Sequence, residues 1–171
     1  MYEKALTLRY NKTLNFLNNC VSKEYNILDL GTKNRFSELM QENNYNITNT
    51  KGEDLDINFD VAKDDQFDLV TAFEIFEHMF CPFNILKSIK AKELIASIPL
   101  KLWFAGAYWG KDDWDKHFHE FEEKQFNLLL DKTGWKIIKS EKWTNPTNKI
   151  GIRPILRKFT ARYYIVHCVR K

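Results

Sequence analysis

The chain has 171 residues, 44% apolar and 29% charged, which predicts one folded domain spanning 1–171 and excludes a disordered or fibrous polypeptide. A net charge of +3 is too small to indicate nucleic acid as a partner. No apolar run approaches a membrane span and no signal-peptide pattern opens the chain, while Cys20, Cys81 and Cys168 lie far apart with no pair at metal spacing. A cytoplasmic protein with buried or half-buried thiols, and no membrane partner, is the expectation.

Residues 1–20 carry Leu6, Leu8, Leu14, Phe16 and Leu17 among polar residues, the pattern of an amphipathic helix laid against the domain. From Asn26 to Met40 a short apolar run, Ile27 to Leu30, breaks at Gly31, and Phe36, Leu39 and Met40 then recur at helical spacing. That is strand, tight turn and helix, with backbone N–H groups at the turn available to a polar ligand. Gly31 allows close approach and Asp29 supplies a hydrogen-bond acceptor near the strand end.

Ile47-Thr48 starts a second strand, and the alternation of Leu55, Ile57 and Phe59 predicts another. There is no room between them for a long helix, so the region between the second and third strands is shortened. Phe67–Phe73 reads as a buried strand, Glu74–Met79 as a turn or short helix, and Pro82–Lys90 as a helix with proline at its start. Glu93–Leu100 is the next strand. An irregular aromatic segment occupies 101–119, a helix follows over Glu120–Lys132 with Gly134 as its stop, and Trp135–Trp143 and Tyr163–Val169 close the chain. Between those strands lies a long basic connection, 144–162, whose Ile152, Ile155, Leu156 and Phe159 predict that it packs down on the domain.

Alternating helices and strands predict an α/β domain, a Rossmann-like doubly wound sheet with helices on both faces. Ligands of such sheets bind beyond the carboxyl ends of the strands. That rule gathers Asp29, Gly31, Phe73, the aromatic segment and the basic connection at one rim.

The order of motifs resembles class I S-adenosylmethionine-dependent methyltransferases. Ile27-Leu28-Asp29-Leu30-Gly31 resembles the first motif of that superfamily. Phe67 to His78, ending Glu74-Ile75-Phe76-Glu77-His78, is similar to its fourth-strand motif, as in ubiquinone-type O-methyltransferases. The resemblance implies a seven-stranded sheet with an antiparallel last strand and S-adenosylmethionine as cofactor. It places the cofactor at Asp29, Gly31, Thr32, Asp54, Phe73 and Glu74. The loop departs from the family's glycine-rich form, running Gly31-Thr32-Lys33-Asn34-Arg35, and the acidic residue that holds the ribose has no clear match near Lys51, Glu53 and Asp54 being displaced candidates. A non-catalytic binding module of the same fold is therefore the alternative.

The aromatic segment reads as a lid whose Trp103, Tyr108 and Trp109 bind a planar or sugar-like acceptor, with core completion as the plainer account. His117 and His119 are the candidates for general base. Arg153 and Arg157, with Lys158 and Arg162, suit an anionic group on a small-molecule acceptor, or form a solvated basic face. Glu74, Glu77 and His78 would share one helical face, where a local Glu–His pair competes with a metal site. A metal held by His117-x-His119 is disfavoured, because alternate residues point apart in extended chain. No metal is assigned.

Overall fold

The computed structural model describes residues 2–146 and 150–171, with side chains described from Leu6 onward. Helix α1 spans Tyr2–Asn18, and strand β1, Asn26–Asp29, leads through Gly31 into helix α2, Arg35–Glu42. Strand β2 (Asn46–Asn49) is followed by a single 3₁₀ turn at Asp60–Lys63 before strand β3 (Leu69–Phe73). Helix α3 (Pro82–Ser88) and strand β4 (Glu93–Pro99) follow. The chain closes with helix α4 (Glu123–Lys132), strand β5 (Trp135–Thr144), helix α5 (Ile152–Phe159) and strand β6 (Ala161–Arg170).

The sheet runs β2-β1-β3-β4-β6-β5. β1, β2, β3 and β4 are mutually parallel, and β6 runs antiparallel to both β4 and β5. Successive residues of the inner strands bury opposite faces, which is why their apolar runs are continuous rather than alternating. Ile27, Leu69, Ile95 and Ile165 meet Phe16 and Leu17 of α1 and Phe36 and Met40 of α2. Leu28, Val70, Leu94 and Val166 face the other way, onto Ile85 and Leu86 of α3 and Phe126 and Leu130 of α4. This doubly wound arrangement with an antiparallel last strand is the predicted class.

Several expectations fail in whole or in part. Among the described residues the sheet has six strands, not seven: Leu55, Ile57 and Phe59 do not form one. There the Asp54 carbonyl accepts the N–H groups of Ile57 and Asn58, closing a turn that leaves Ile57 80% exposed. The basic connection packs down only in part: α5 contacts β5 and β6 and half-buries Leu156, but turns Ile152, Ile155 and Phe159 to solvent. Its residues 147–149 lie outside the described residues. Cys81 is exposed, unlike Cys20 and Cys168. Helix α4 also begins later than Glu120, because Glu122 and Gln125 form a reciprocal capping box that fixes its first turn at Glu123. Among the described residues no helix is long and apolar enough to cross a membrane.

Candidate functional site

Asp29 ends β1 and is buried. Its Oδ1 accepts from Thr71 Oγ1 at 2.7 Å, and its Oδ2 accepts from Asn49 Nδ2 at 2.9 Å and Ser37 Oγ at 3.2 Å. Burial pushes the Asp29 carboxyl up to about 6, and these three donors pull it back only in part.

In the turn that follows, both peptide groups of Gly31 are hydrogen-bonded within the chain. Gly31 has φ +140, and an added Cβ would meet Ile75 Cδ1 at 3.4 Å. Its N–H donates to Thr50 Oγ1 at 2.8 Å and its carbonyl accepts from Asn49 Nδ2 at 3.1 Å. The N-terminus of α2 is capped by Asn34, whose Oδ1 accepts from the N–H groups of Phe36 and Ser37. The N–H groups of Gly31, Phe36 and Ser37 are thus partnered within the chain. Glu53 accepts from the Lys51 N–H at 2.6 Å, so this carboxylate caps its own loop. Asp56 serves the next helix: its two oxygens accept from Phe80 and Cys81 N–H, capping α3 from a distance.

At the end of β3, Glu74 adopts φ 56, a left-handed conformation that costs a non-glycine residue roughly 1–2 kcal/mol. Its Oε1 accepts from Ser97 Oγ at 2.9 Å and its Oε2 pairs with Arg9 Nη1 at 3.4 Å. Burial raises the Glu74 carboxyl above its usual range, while Arg9 and Ser97 act against it. Asp29, Phe73, Glu74 and Ser97 share a cavity of about 90 Å³ at the carboxyl edge of β1, β3 and β4, roofed by Arg9, Tyr10 and Thr13 of α1. Phe36 meets Phe73 edge to face at 5.2 Å on one wall.

Three of the predicted cofactor residues, Asp29, Phe73 and Glu74, therefore come together, whereas Gly31, Thr32 and Asp54 do not line this cavity. Arg9 carries no sequence signal of its place here, since nothing local marks one arginine of an amphipathic helix. Trp103, Tyr108 and Trp109 lie outside the cavity, exposed, on a segment anchored by Phe118 and His119 N–H donating to the Glu77 carbonyl. Arg153 and Arg157 lie on α5, and neither lines the cavity. Arg162 instead reaches the rim, donating to the Leu100 carbonyl at 2.6 Å and approaching Glu120 at 3.7 Å.

The two histidines part company. His119 Nε2 sits 3.2 Å from the Phe80 carbonyl and its ring stacks on Phe121. His117 is buried and meets His78 at right angles, with ring centroids 4.9 Å apart. His117 Nδ1 lies 3.1 Å from Glu120 Oε1, and His78 Nδ1 lies 3.0 Å from the Lys116 carbonyl. Beside them Glu77, 1% exposed, has neither carboxylate oxygen hydrogen-bonded. The stretch from Glu74 is a tight turn rather than a helix, with a 3₁₀ turn over Phe76–His78. Glu74 therefore faces the cavity, while Glu77 and His78 face His117.

No family model and no curated protein matches the sequence. Solved structures do match in fold. A chain of the complex between the Haloferax volcanii Trm112 methyltransferase activator and a methyltransferase aligns with TM-score 0.68 and 14% identity, over 99% of this chain and 93% of that one. An S-adenosylmethionine-dependent methyltransferase from Mesorhizobium loti aligns with TM-score 0.62 and 14% identity, over 91% and 96%. The Burkholderia thailandensis 1,6-didemethyltoxoflavin-N1-methyltransferase, holding its substrate and S-adenosylhomocysteine, aligns with TM-score 0.57 and 12% identity, over 99% and 89%. The chain has a class I methyltransferase-like fold, with the described sheet reduced to six strands.

Proposed function

We propose that the protein transfers a methyl group from S-adenosylmethionine to a small-molecule acceptor. The observation that carries this reading is a cavity lined by two carboxylates, Asp29 and Glu74, at the carboxyl edge of the parallel strands in a class I methyltransferase-like sheet. The donor presents an ammonium and a sulfonium beside one carboxylate, and the carboxylates of the cavity complement its two cations. Phe36 and Phe73 supply an apolar wall for its adenosine.

In this conformation Arg9 is the cation on Glu74. The cavity, about 90 Å³, is below the ~300 Å³ at which small-molecule sites begin, so donor binding widens it. The bound donor supplies the electrophilic methyl group. The chain's own part is to hold the reacting groups in line and exclude water, which lowers the barrier without a covalent step. Exposed Trp103, Tyr108 and Trp109 suit an aromatic acceptor, Arg153 and Arg157 an anionic one, and His119 removal of the acceptor's proton.

A second reading, a binding module that no longer holds the donor, is favoured by the Gly31 N–H and carbonyl being hydrogen-bonded within the chain and by Glu53 capping its own loop. Equilibrium dialysis against S-adenosylhomocysteine, with NAD as control, separates the two. Retention of the first ligand alone at micromolar concentration supports methyl transfer; no retention at millimolar concentration supports the module.

A further inference from the structure

We propose that Glu77, His78 and His117 form a binding site for a divalent transition metal of the zinc class, with the Glu77 carboxylate and the Nε2 atoms of the two histidines as ligands. One donor atom from each residue lies within 4.8 Å of the other two. Glu77 Oε1 and His78 Nε2 face each other across 3.8 Å, too far for a hydrogen bond. Both histidines are held ready to ligate by their other nitrogen. A backbone carbonyl can only accept, so His78 Nδ1 carries a proton toward Lys116 and leaves Nε2 with a lone pair. The Glu120 carboxylate does the same for His117.

Glu120 is itself fixed, accepting from the Tyr108 N–H at 2.9 Å and lying 3.7 Å from Arg162. A carboxylate or carbonyl on the far nitrogen of a ligating histidine is the usual outer support of a metal site. A buried carboxylate without a partner is costly, because nothing replaces its lost hydration. A cation bound between Glu77 and the histidines resolves that cost.

Two nitrogens and one oxygen favour zinc, cobalt or iron over magnesium, which prefers oxygen ligands and near-ideal octahedra. Metal–ligand bonds near ~2.0–2.1 Å place donors about 3.4 Å apart in a tetrahedron, so the site contracts modestly on binding. Three protein ligands leave a fourth position for water or another oxygen. The proposal rests on these residues alone and does not depend on methyl transfer.

The test titrates the chelator-treated protein with Co²⁺, followed by Zn²⁺ competition, and uses circular dichroism to confirm the fold of each variant. One equivalent of Co²⁺ producing visible d–d absorption that Zn²⁺ abolishes is the expected result. Glu77→Gln and His117→Ala should each weaken binding by about 100-fold or more, and Glu120→Gln by about tenfold through loss of the outer support. His119→Ala should leave it unchanged. A folded wild-type protein that binds neither metal at millimolar concentration overturns the proposal, as does binding that survives in both Glu77→Gln and His117→Ala.

Discussion

Arg9 of the N-terminal helix and Glu74 at the end of the third strand pair at 3.4 Å across the mouth of the cavity. The two are 65 residues apart in sequence, so the pair ties the roof of the cavity to its floor. Both side chains retain some solvent contact, and a partly exposed pair of this kind contributes only about 1 kcal/mol. Most of the hold on α1 comes from Phe16 and Leu17, both buried nearer its carboxyl end.

Arg9→Gln should therefore loosen the first half of α1 without unfolding the protein. Amide exchange in residues 6–12 is expected to accelerate several-fold while that of β3 and β4 stays unchanged. Equal rates in the variant and wild type would show that the ion pair does not restrain the helix.

The left-handed backbone at Glu74 makes a second prediction that separates strain from charge. Glu74→Ala and Glu74→Gly both delete the carboxylate, but only glycine relieves the φ of 56. The glycine variant should be the more stable of the two by about 1 kcal/mol in urea unfolding, despite the greater entropy of its unfolded chain. Equal stability, or a more stable alanine variant, would mean that the strain is absorbed elsewhere.

Asp29 predicts a pH dependence. Its carboxyl has an ordinary value of 3.8, raised to about 6 in the fold. A raised value means that the folded state prefers the protonated form. The resulting stabilisation is complete below pH 3.8 and is lost as pH rises through 6. Above that, ionised Asp29 costs the fold roughly 3 kcal/mol relative to its unperturbed state. The stability of wild type minus that of Asp29→Asn should thus fall by up to this amount between about pH 3.5 and about pH 7.5. A difference that stays flat across this window would place the carboxyl at its ordinary value.

Asn34 caps α2 with two hydrogen bonds, and Asn34→Ala should cost about 1 kcal/mol in the same unfolding experiment. Asn34→Asp, which keeps the acceptor and places a negative charge at the helix N-terminus, should restore most of it. Failure of the aspartate to restore stability would assign the loss to something other than the cap.

The doubly wound sheet was legible because its inner strands announce themselves as buried on both faces. Ile27 to Leu30 and Leu69 to Ala72 are runs that only a sheet covered on both sides accommodates. Leu55, Ile57 and Phe59 misled for a physical reason: three alternating apolar residues are also what a turn presents when two of them tuck under the domain. Leu55 and Phe59 do pack against the core, and Ile57 does not. At the site, Asp29, Phe73 and Glu74 could be placed together because each ends or follows a parallel strand. Arg9 could not, since a helix–cavity contact leaves no local pattern. The partnership of His117 with His78 was equally hidden, because it depends on how the aromatic segment folds back over the turn after β3.

The most direct measurement is calorimetric titration of wild type and Glu74→Gln with S-adenosylmethionine. The account predicts micromolar binding to wild type and a loss of about tenfold in the variant, equivalent to ~1.4 kcal/mol for the missing charge. Absence of binding to folded wild-type protein at millimolar donor, or equal affinity in the two proteins, would contradict it.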